Sequence, residues 1–365
     1  MRTSRTKINV TVLALFAVFA LTDSHLEAAT PLNVTWTKLI AESAMSVDWS
    51  PPGDSIVFGN SETNQIPLVN WQTSETLWQT PFPESGFAHS PYAYSIRWSP
   101  DGDWIAVTNS RSVYVINAQF GNSHALSISV PAERDQPAYT RPRWGNDSIS
   151  LAVLDTNGFI DIVNSMTGEI IQTISLTEGT RYADLEITAF DWSPDGQFLV
   201  APHLRSPMTA ETIGFWNSTG NIVEGYTQDN VTDLSPQTPC PRHADSPVAD
   251  HVTFLEWAND SRTLVVGLTY GLAVCRLQLD GTIDVRELQS YGTSFHWSPD
   301  QRWLAGAINT DTSVWVADVA NRYQTVSVQP PHGSAVNSFA WSPDSKHLAV
   351  GTRRELWIGT LELPE

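Results

Sequence analysis

Trp98-Ser99-Pro100-Asp101-Gly102 decides the fold, because the chain keeps returning to it. Trp192-Ser193-Pro194-Asp195, Trp297-Ser298-Pro299-Asp300 and Trp341-Ser342-Pro343-Asp344 repeat it closely. Looser copies are Trp49-Ser50-Pro51-Pro52-Gly53-Asp54, Trp144-Gly145-Asn146-Asp147 and Trp257-Ala258-Asn259-Asp260. The seven tryptophans follow one another at intervals of 49, 46, 48, 65, 40 and 44 residues. Self-similarity at such a period marks a repeat architecture.

The neighbours of each copy repeat too. A short alternating stretch leads into the Trp, as in Ser95-Ile96-Arg97-Trp98. Ser, Pro and Gly then suit successive positions of a tight turn, with Gly taking positive φ at its end. A second apolar strand follows, such as Trp104-Ile105-Ala106-Val107, and a third ends on a polar residue, as in Val113–Asn117. A fourth, more polar strand closes the unit at Leu126–Val130, Ile170–Leu176, Ile222–Thr227, Thr282–Leu288 and Tyr323–Val328. Four antiparallel strands with two apolar faces are not stable alone, and stacking such units radially buries those faces. The pattern predicts an all-β fold, a seven-bladed β-propeller of four-stranded antiparallel blades. Blades are expected at about 46–80, 94–131, 141–176, 187–228, 252–288, 293–328 and 335–360. The last has only three strands of its own, so Asn33–Ile40 is predicted to complete it, removing an open sheet edge.

Residues 1–29 read as a secretory signal peptide: Arg2, Arg5 and Lys7 precede an apolar run from Val10 to Leu21, and Ala28-Ala29 offers small residues for cleavage. The single propeller then spans 33–361. The expected location is secreted or periplasmic, with no membrane insertion of the mature chain. A balance of 20 Lys+Arg against 39 Asp+Glu gives −19, which repels phosphate backbones and excludes a nucleic-acid partner as a first reading.

On these motifs the chain resembles WD-repeat (WD40) β-propellers, and its Trp-Ser-Pro-Asp-Gly turns also resemble those of TolB-like periplasmic propellers. The Gly-His pair of many WD repeats is absent, His332-Gly333 being reversed, and their Trp-Asp pair appears at best as Trp216-Asn217. The bacterial, extracytoplasmic type is the better match. It implies a monomeric, non-catalytic scaffold that binds a protein or peptide on a rim or at the channel mouth. The alternatives are a hydrolase or lyase using acidic residues at the central channel, and a TolB-like envelope assembly factor.

No metalloprotease His-Glu pattern, Gly-x-Ser-x-Gly elbow or phosphate-cradling loop is present. No catalytic residue, cofactor or metal is therefore assigned. The residue before each motif Trp points opposite to it, toward the axis. These residues are Asp48, Arg97, Arg143, Asp191, Glu256, His296 and Ala340. Six of the seven are ionisable in a chain with only 16% charged residues. They form a candidate axial polar ring, with pairing expected between Asp48 and Arg97, Arg143 and Asp191, and Glu256 and His296. The ring either fixes blade order or lines a pocket for a small ligand or peptide. The long connection Asp229–His251 carries Cys240, His243, Asp245, Asp250 and His251 and reads as a surface loop rather than a metal site. Export would allow a disulfide between Cys240 and Cys275, the alternative being a loose Cys240 and a buried Cys275. Loops carrying Phe82, Phe87, Tyr92 and Tyr94 would favour binding if exposed. Sequons stand at Asn33, Asn146, Asn217, Asn230 and Asn259.

Overall fold

Every motif turn closes the same way. The residue three after the turn's first position donates its N–H back to that residue's carbonyl: Gly53 to Ser50, Gly102 to Ser99, Ser148 to Gly145, Gly196 to Ser193, Ser261 to Ala258, Gln301 to Ser298 and Ser345 to Ser342. All seven donors lie at positive φ, between 52° and 80°. Where the turn begins with Ser, its hydroxyl braces the structure twice. Ser298 Oγ donates to Asp300 Oδ1 at 2.6 Å and accepts the N–H of Trp303 at 2.9 Å. Ser99, Ser193 and Ser342 repeat both bonds. The Ser-Pro-Asp spelling is thus a polar clip that fixes where the next strand starts.

The structure is a computed structural model. It describes residues 32–82, 95–108, 112–130, 139–155, 158–176, 189–204, 211–217, 252–268, 271–278, 283–288, 292–308 and 311–362. Their strands fall into seven antiparallel sheets. Sheet one is β2 (Val47–Trp49), β3 (Ser55–Phe58), β4 (Gln65–Asn70) and β5 (Thr76–Pro81). Sheet two is β6 (Ser95–Trp98), β7 (Trp104–Thr108), β8 (Val113–Asn117) and β9 (Ser123–Leu126). Sheet three is β10 (Tyr139–Trp144), β11 (Ser150–Asp155), β12 (Phe159–Asn164) and β13 (Ile170–Ser175). Sheet four is β14 (Asp191–Trp192), β15 (Phe198–Leu204) and β16 (Glu211–Asn217). Sheet five is β17 (Val252–Trp257), β18 (Thr263–Leu268), β19 (Gly271–Leu277) and β20 (Ile283–Leu288). Sheet six is β21 (Ser294–Trp297), β22 (Trp303–Ala307), β23 (Val314–Asp318) and β24 (Gln324–Val328). The last joins β25 (Val336–Trp341), β26 (His347–Thr352) and β27 (Leu356–Glu362) to β1 (Asn33–Ile40).

Among the described residues, six sheets have four strands and the fourth has three. Its expected last strand, Ile222–Thr227, lies outside the described residues. The last strand of the second unit also begins earlier than predicted, at Ser123. Asn117 Oδ1 accepts the N–H groups of Gln119 and Phe120, and Gly121 turns at φ 71°, so the chain reverses sooner. In the last sheet β1 runs antiparallel to β27, with Asn33 opposite Glu362 and Lys38 opposite Trp357.

The first strand of each sheet packs on the first strand of the next: β2 on β6, β6 on β10, β10 on β14, β14 on β17, β17 on β21, β21 on β25, and β25 on β2. The core lies between sheets. Trp49 packs with Ala340, Ala349 and Ile358 of the last sheet, and Trp341 with Trp303 and Leu361. Phe58, Phe190, Phe295 and Phe339 are essentially inaccessible. Burying each such ring stabilises by roughly 2–3 kcal/mol.

Candidate functional site

The inner strands meet through polar links, and the residue before each Trp selects the kind of link. Where that residue is acidic, its carboxylate reaches the next sheet and accepts the main-chain N–H of the motif Trp there. Asp48 Oδ2 takes Trp98 N at 2.9 Å, Asp191 Oδ2 takes Trp257 N at 2.9 Å, and Glu256 Oε1 takes Trp297 N at 2.9 Å. Where it is Arg97, His296 or Ala340, the next Trp donates its indole instead. Trp144 Nε1 reaches Arg97 O at 3.0 Å, Trp341 Nε1 reaches His296 O at 3.0 Å, and Trp49 Nε1 reaches Ala340 O at 3.1 Å. The junction of sheets three and four carries an ion pair, Arg143 Nε to Asp191 Oδ1 at 3.2 Å.

The structure therefore brings Arg143 to Asp191 and His296 to Glu256, the latter through Nδ1 to Oε2 at 2.6 Å. It does not bring Arg97 onto Asp48. No nitrogen–oxygen contact of 4 Å or less joins them among the described residues. The Asp48 oxygens face the N–H groups of Trp49 and Trp98, and Arg97 Nη1 donates to Ile96 O at 3.1 Å. Burial raises the Asp48 carboxyl above its ordinary value, against the longer-range pull of Arg97. Burial likewise pushes Asp191 up to about 6, opposed by Arg143. Burial and the neighbouring charge of Arg97 lower the Arg143 guanidinium. Ala340 is buried and supplies only its carbonyl.

A cavity of about 100 Å³ opens where the inner strands begin. Sheets one, two, three, five, six and seven all contribute to it, through residues such as Ser46, Arg97, Arg143, Phe254, His296 and Asn337. Its lining also includes Arg141, which the sequence reading missed. Arg141 stands two residues before Arg143, but the register change between Thr140 and Arg143 breaks the two-residue alternation that would have found it. Three inner strands change register at this mouth, between Thr140 and Arg143, Val252 and Phe254, and Val336 and Ser338. Such bulges re-aim side chains beside functional surfaces.

A second set of links runs through the turns. Ser148, Ser261 and Ser345 accept the N–H groups of Asp101, Asp195 and Asp300 in the preceding sheets. Asn146 and Asn259 donate their side-chain amides to the Pro194 and Pro299 carbonyls of the following sheets. Both amides are sequon positions, and in the folded chain they are engaged in holding sheets together. Asn33 is exposed on β1.

Cys275 is buried in β19, and burial pushes its thiol up to about 12. Cys240 lies outside the described residues, and with it the candidate disulfide and the loop Asp229–His251. Phe82 is buried rather than exposed, packing beneath sheet two with Ile96 and Ile105, and Phe87, Tyr92 and Tyr94 lie outside the described residues. Among the described residues no cluster of three His, Cys, Asp or Glu is placed to hold a metal ion, and no helix is long and apolar enough to cross a membrane.

The family model of the WD domain, G-beta repeat, matches residues 83–117 and 323–354. The second match runs from the last strand of one sheet into the first two of the next. Among solved structures, the β-propeller domain of Cps50 (Swd1) from Myceliophteria thermophila is similar at a TM-score of 0.63 and 14% identity, covering 91% of this chain and 100% of that one. At that identity the likeness concerns the fold. The chain is a β-propeller, and two of its stretches are similar to the WD domain, G-beta repeat.

Proposed function

We propose that this chain is a seven-bladed propeller, shut by its first strand, that works outside the cytoplasm as a monomeric, non-catalytic scaffold for a protein or peptide. The observation that carries the reading is the axial mouth, a cavity built from the inner strands of six sheets. The three ring carboxylates support a structural rather than a catalytic role. Asp48, Asp191 and Glu256 each accept a main-chain N–H from the neighbouring sheet, which ties them to the frame. The similarity to WD repeats adds an analogy of fold, and function has to be argued from the site. The bacterial-type turns and the positively charged, then apolar, opening segment support export.

The test is affinity capture from culture medium of the source cells with the purified propeller as bait, followed by mass spectrometry. Binding of each captured protein is then measured directly with the wild type and with Arg97→Gln. A specific partner whose affinity falls in the variant supports the reading. Partners that bind the wild type and the variant alike would place recognition away from the mouth and overturn it.

A further inference from the structure

One exposed apolar side chain says little about a protein. Here several share one stretch of surface. Among the described residues, the large apolar side chains left exposed are Leu77, Phe120, Ile149, Met166 and Ile171, at 48% to 64%. All five lie in sheets one, two and three or in their turns, and none in the other sheets.

Hydrogen bonds join these turns into one rim. Within each sheet the two turns at the motif end are tied: Trp71 N–H to Asp54 O at 3.4 Å, Ala118 N–H to Asp103 O at 2.9 Å, and Ser165 N–H to Ile149 O at 2.9 Å. Between sheets, Trp78 Nε1 donates to Ala118 O at 2.7 Å, and His124 Nε2 meets Ser165 O at 3.4 Å. Phe120 and Met166 therefore stand on neighbouring turns, with Ile149 beside Met166.

The outermost strands add a second observation. β5 and β13 each bulge by one residue near their start, and the extra residue is Leu77 in one and Ile171 in the other. The last strands of sheets two, five and six carry no such bulge. A bulge re-aims its side chain and interrupts the ladder at an edge. Both strands thus hold an apolar side chain outward while resisting the addition of a further strand.

The charges around these side chains have one sign. This rim exposes Asp54, Glu75, Asp101, Asp103, Asp147 and Glu169. It has no Lys or Arg at residues 51–54, 71–81, 99–103, 118–126, 145–149 and 165–175. The matching turns of the later sheets carry Arg262, Arg302, Arg322 and Lys346. An acidic rim repels anionic lipid. It also disfavours a two-fold dimer through this face, which would set the carboxylates against their own copies.

We propose that the rim over sheets one to three is a docking surface for a basic amphipathic segment of another protein. Its apolar side chains would cover Phe120, Ile149 and Met166, and its Lys or Arg side chains would meet the surrounding carboxylates. Apolar patches edged by charge mark such surfaces, and opposite charge selects the partner. None of these residues lines the axial cavity, and the proposal does not rest on the reading of that mouth.

The test is fluorescence anisotropy of labelled peptides titrated with the whole folded chain. The probe is Ac-Lys-Leu-Arg-Phe-Lys-Leu-Arg-Phe-amide. One control replaces its apolar residues by serine, and the other replaces its bases by Glu and Asp. The probe should bind more tightly than either control, with affinity falling as salt rises. Phe120→Ser and Met166→Ser should each weaken binding by about 10-fold or more, the loss expected when a buried apolar side chain is removed. Both residues are exposed, so neither change should move the unfolding midpoint. Glu169→Lys should weaken binding, whereas Glu62→Lys, the same charge change on the exposed turn between β3 and β4, should not. No binding of the probe, equal binding of either control, wild-type affinity in both serine variants, or equal losses in the two lysine variants would overturn the proposal. Binding to phosphatidylcholine vesicles, or self-association in sedimentation, that Phe120→Ser abolishes would overturn it too, giving the surface to lipid or to a second copy.

Discussion

Trp144 donates its indole N–H to the carbonyl of Arg97 across a sheet junction at 3.0 Å, whereas the indole N–H of Trp98, one repeat earlier, is buried without a hydrogen-bond partner among the described residues. The difference lies one residue upstream in the preceding repeat. Asp48 supplies a carboxylate that takes the main-chain N–H of Trp98, and Arg97 supplies only a carbonyl. Replacing both tryptophans by phenylalanine separates the two cases. Trp144→Phe should cost about 1–2 kcal/mol more than Trp98→Phe, because it strands a buried carbonyl in addition to the lost ring volume. Urea unfolding of both variants measures this, and equal losses would refute the link.

Asp191 gives a pH signature with a definite sign. In the folded chain it titrates at about 6, against roughly 3.9 when unfolded. Between those values the folded state holds more protons, so stability falls as pH rises from about 4 to about 6 and is level above. The raised carboxyl of Asp48 acts in the same direction. Asp147, Asp260, Asp344 and Glu355 are lowered by their hydrogen bonds, and their stabilisation is lost only below about pH 4. Asp191→Asn keeps an acceptor for Trp257 N and should flatten the upper window. Urea midpoints from pH 4 to 7 report it, and an unchanged slope in the variant would contradict the assignment.

The turn donors at positive φ divide by side chain. Gln301 holds the left-handed conformation at φ 60° with its main-chain bond to Ser298, while Ser345, also at 60°, in addition accepts the N–H of Asp300. Gln301→Gly should therefore stabilise by roughly 0.5–1 kcal/mol. Ser345→Gly should gain nothing or lose stability, since the relief is offset by a lost inter-sheet bond. Thermal unfolding of the pair decides it, and equal gains would show that the serine link contributes nothing.

Gly359 lies under β1. A Cβ there would stand 2.9 Å from Val34 Cγ1 and 3.0 Å from Trp36. Gly359→Val should push β1 from β27 and raise amide exchange in residues 33–40 well before the rest of the chain. Uniform exchange across all sheets would show that this contact does not govern the strand.

Much of this was readable beforehand, for reasons particular residues make plain. Strand alternation put Arg143, Asp191, Glu256 and His296 on one face, and neighbouring repeats brought them together. Alternation carries no information about distance between sheets, so it could not show Asp48 turning to the Trp98 N–H rather than to Arg97. Nor could it place Arg141, because a register change breaks the two-residue period. Whether Phe82 is exposed was not legible, because its position just past a strand resembles a loop, whereas its ring is buried with Ile96 and Ile105. The indole bonds were invisible because they depend on which carbonyl the next sheet offers.

The pairing of Asn33–Ile40 with Leu356–Glu362 has a consequence for biosynthesis. The segment Asn33–Ile40 must wait, its edge unmet, until Leu356–Glu362 has been translated. Six sheets can form from neighbouring sequence as they emerge, but this one is a long-range event that joins the two ends of the propeller. Since Asn33 faces Glu362 directly, a short engineered bridge between them would turn that late encounter into a local hairpin and let new ends be opened elsewhere.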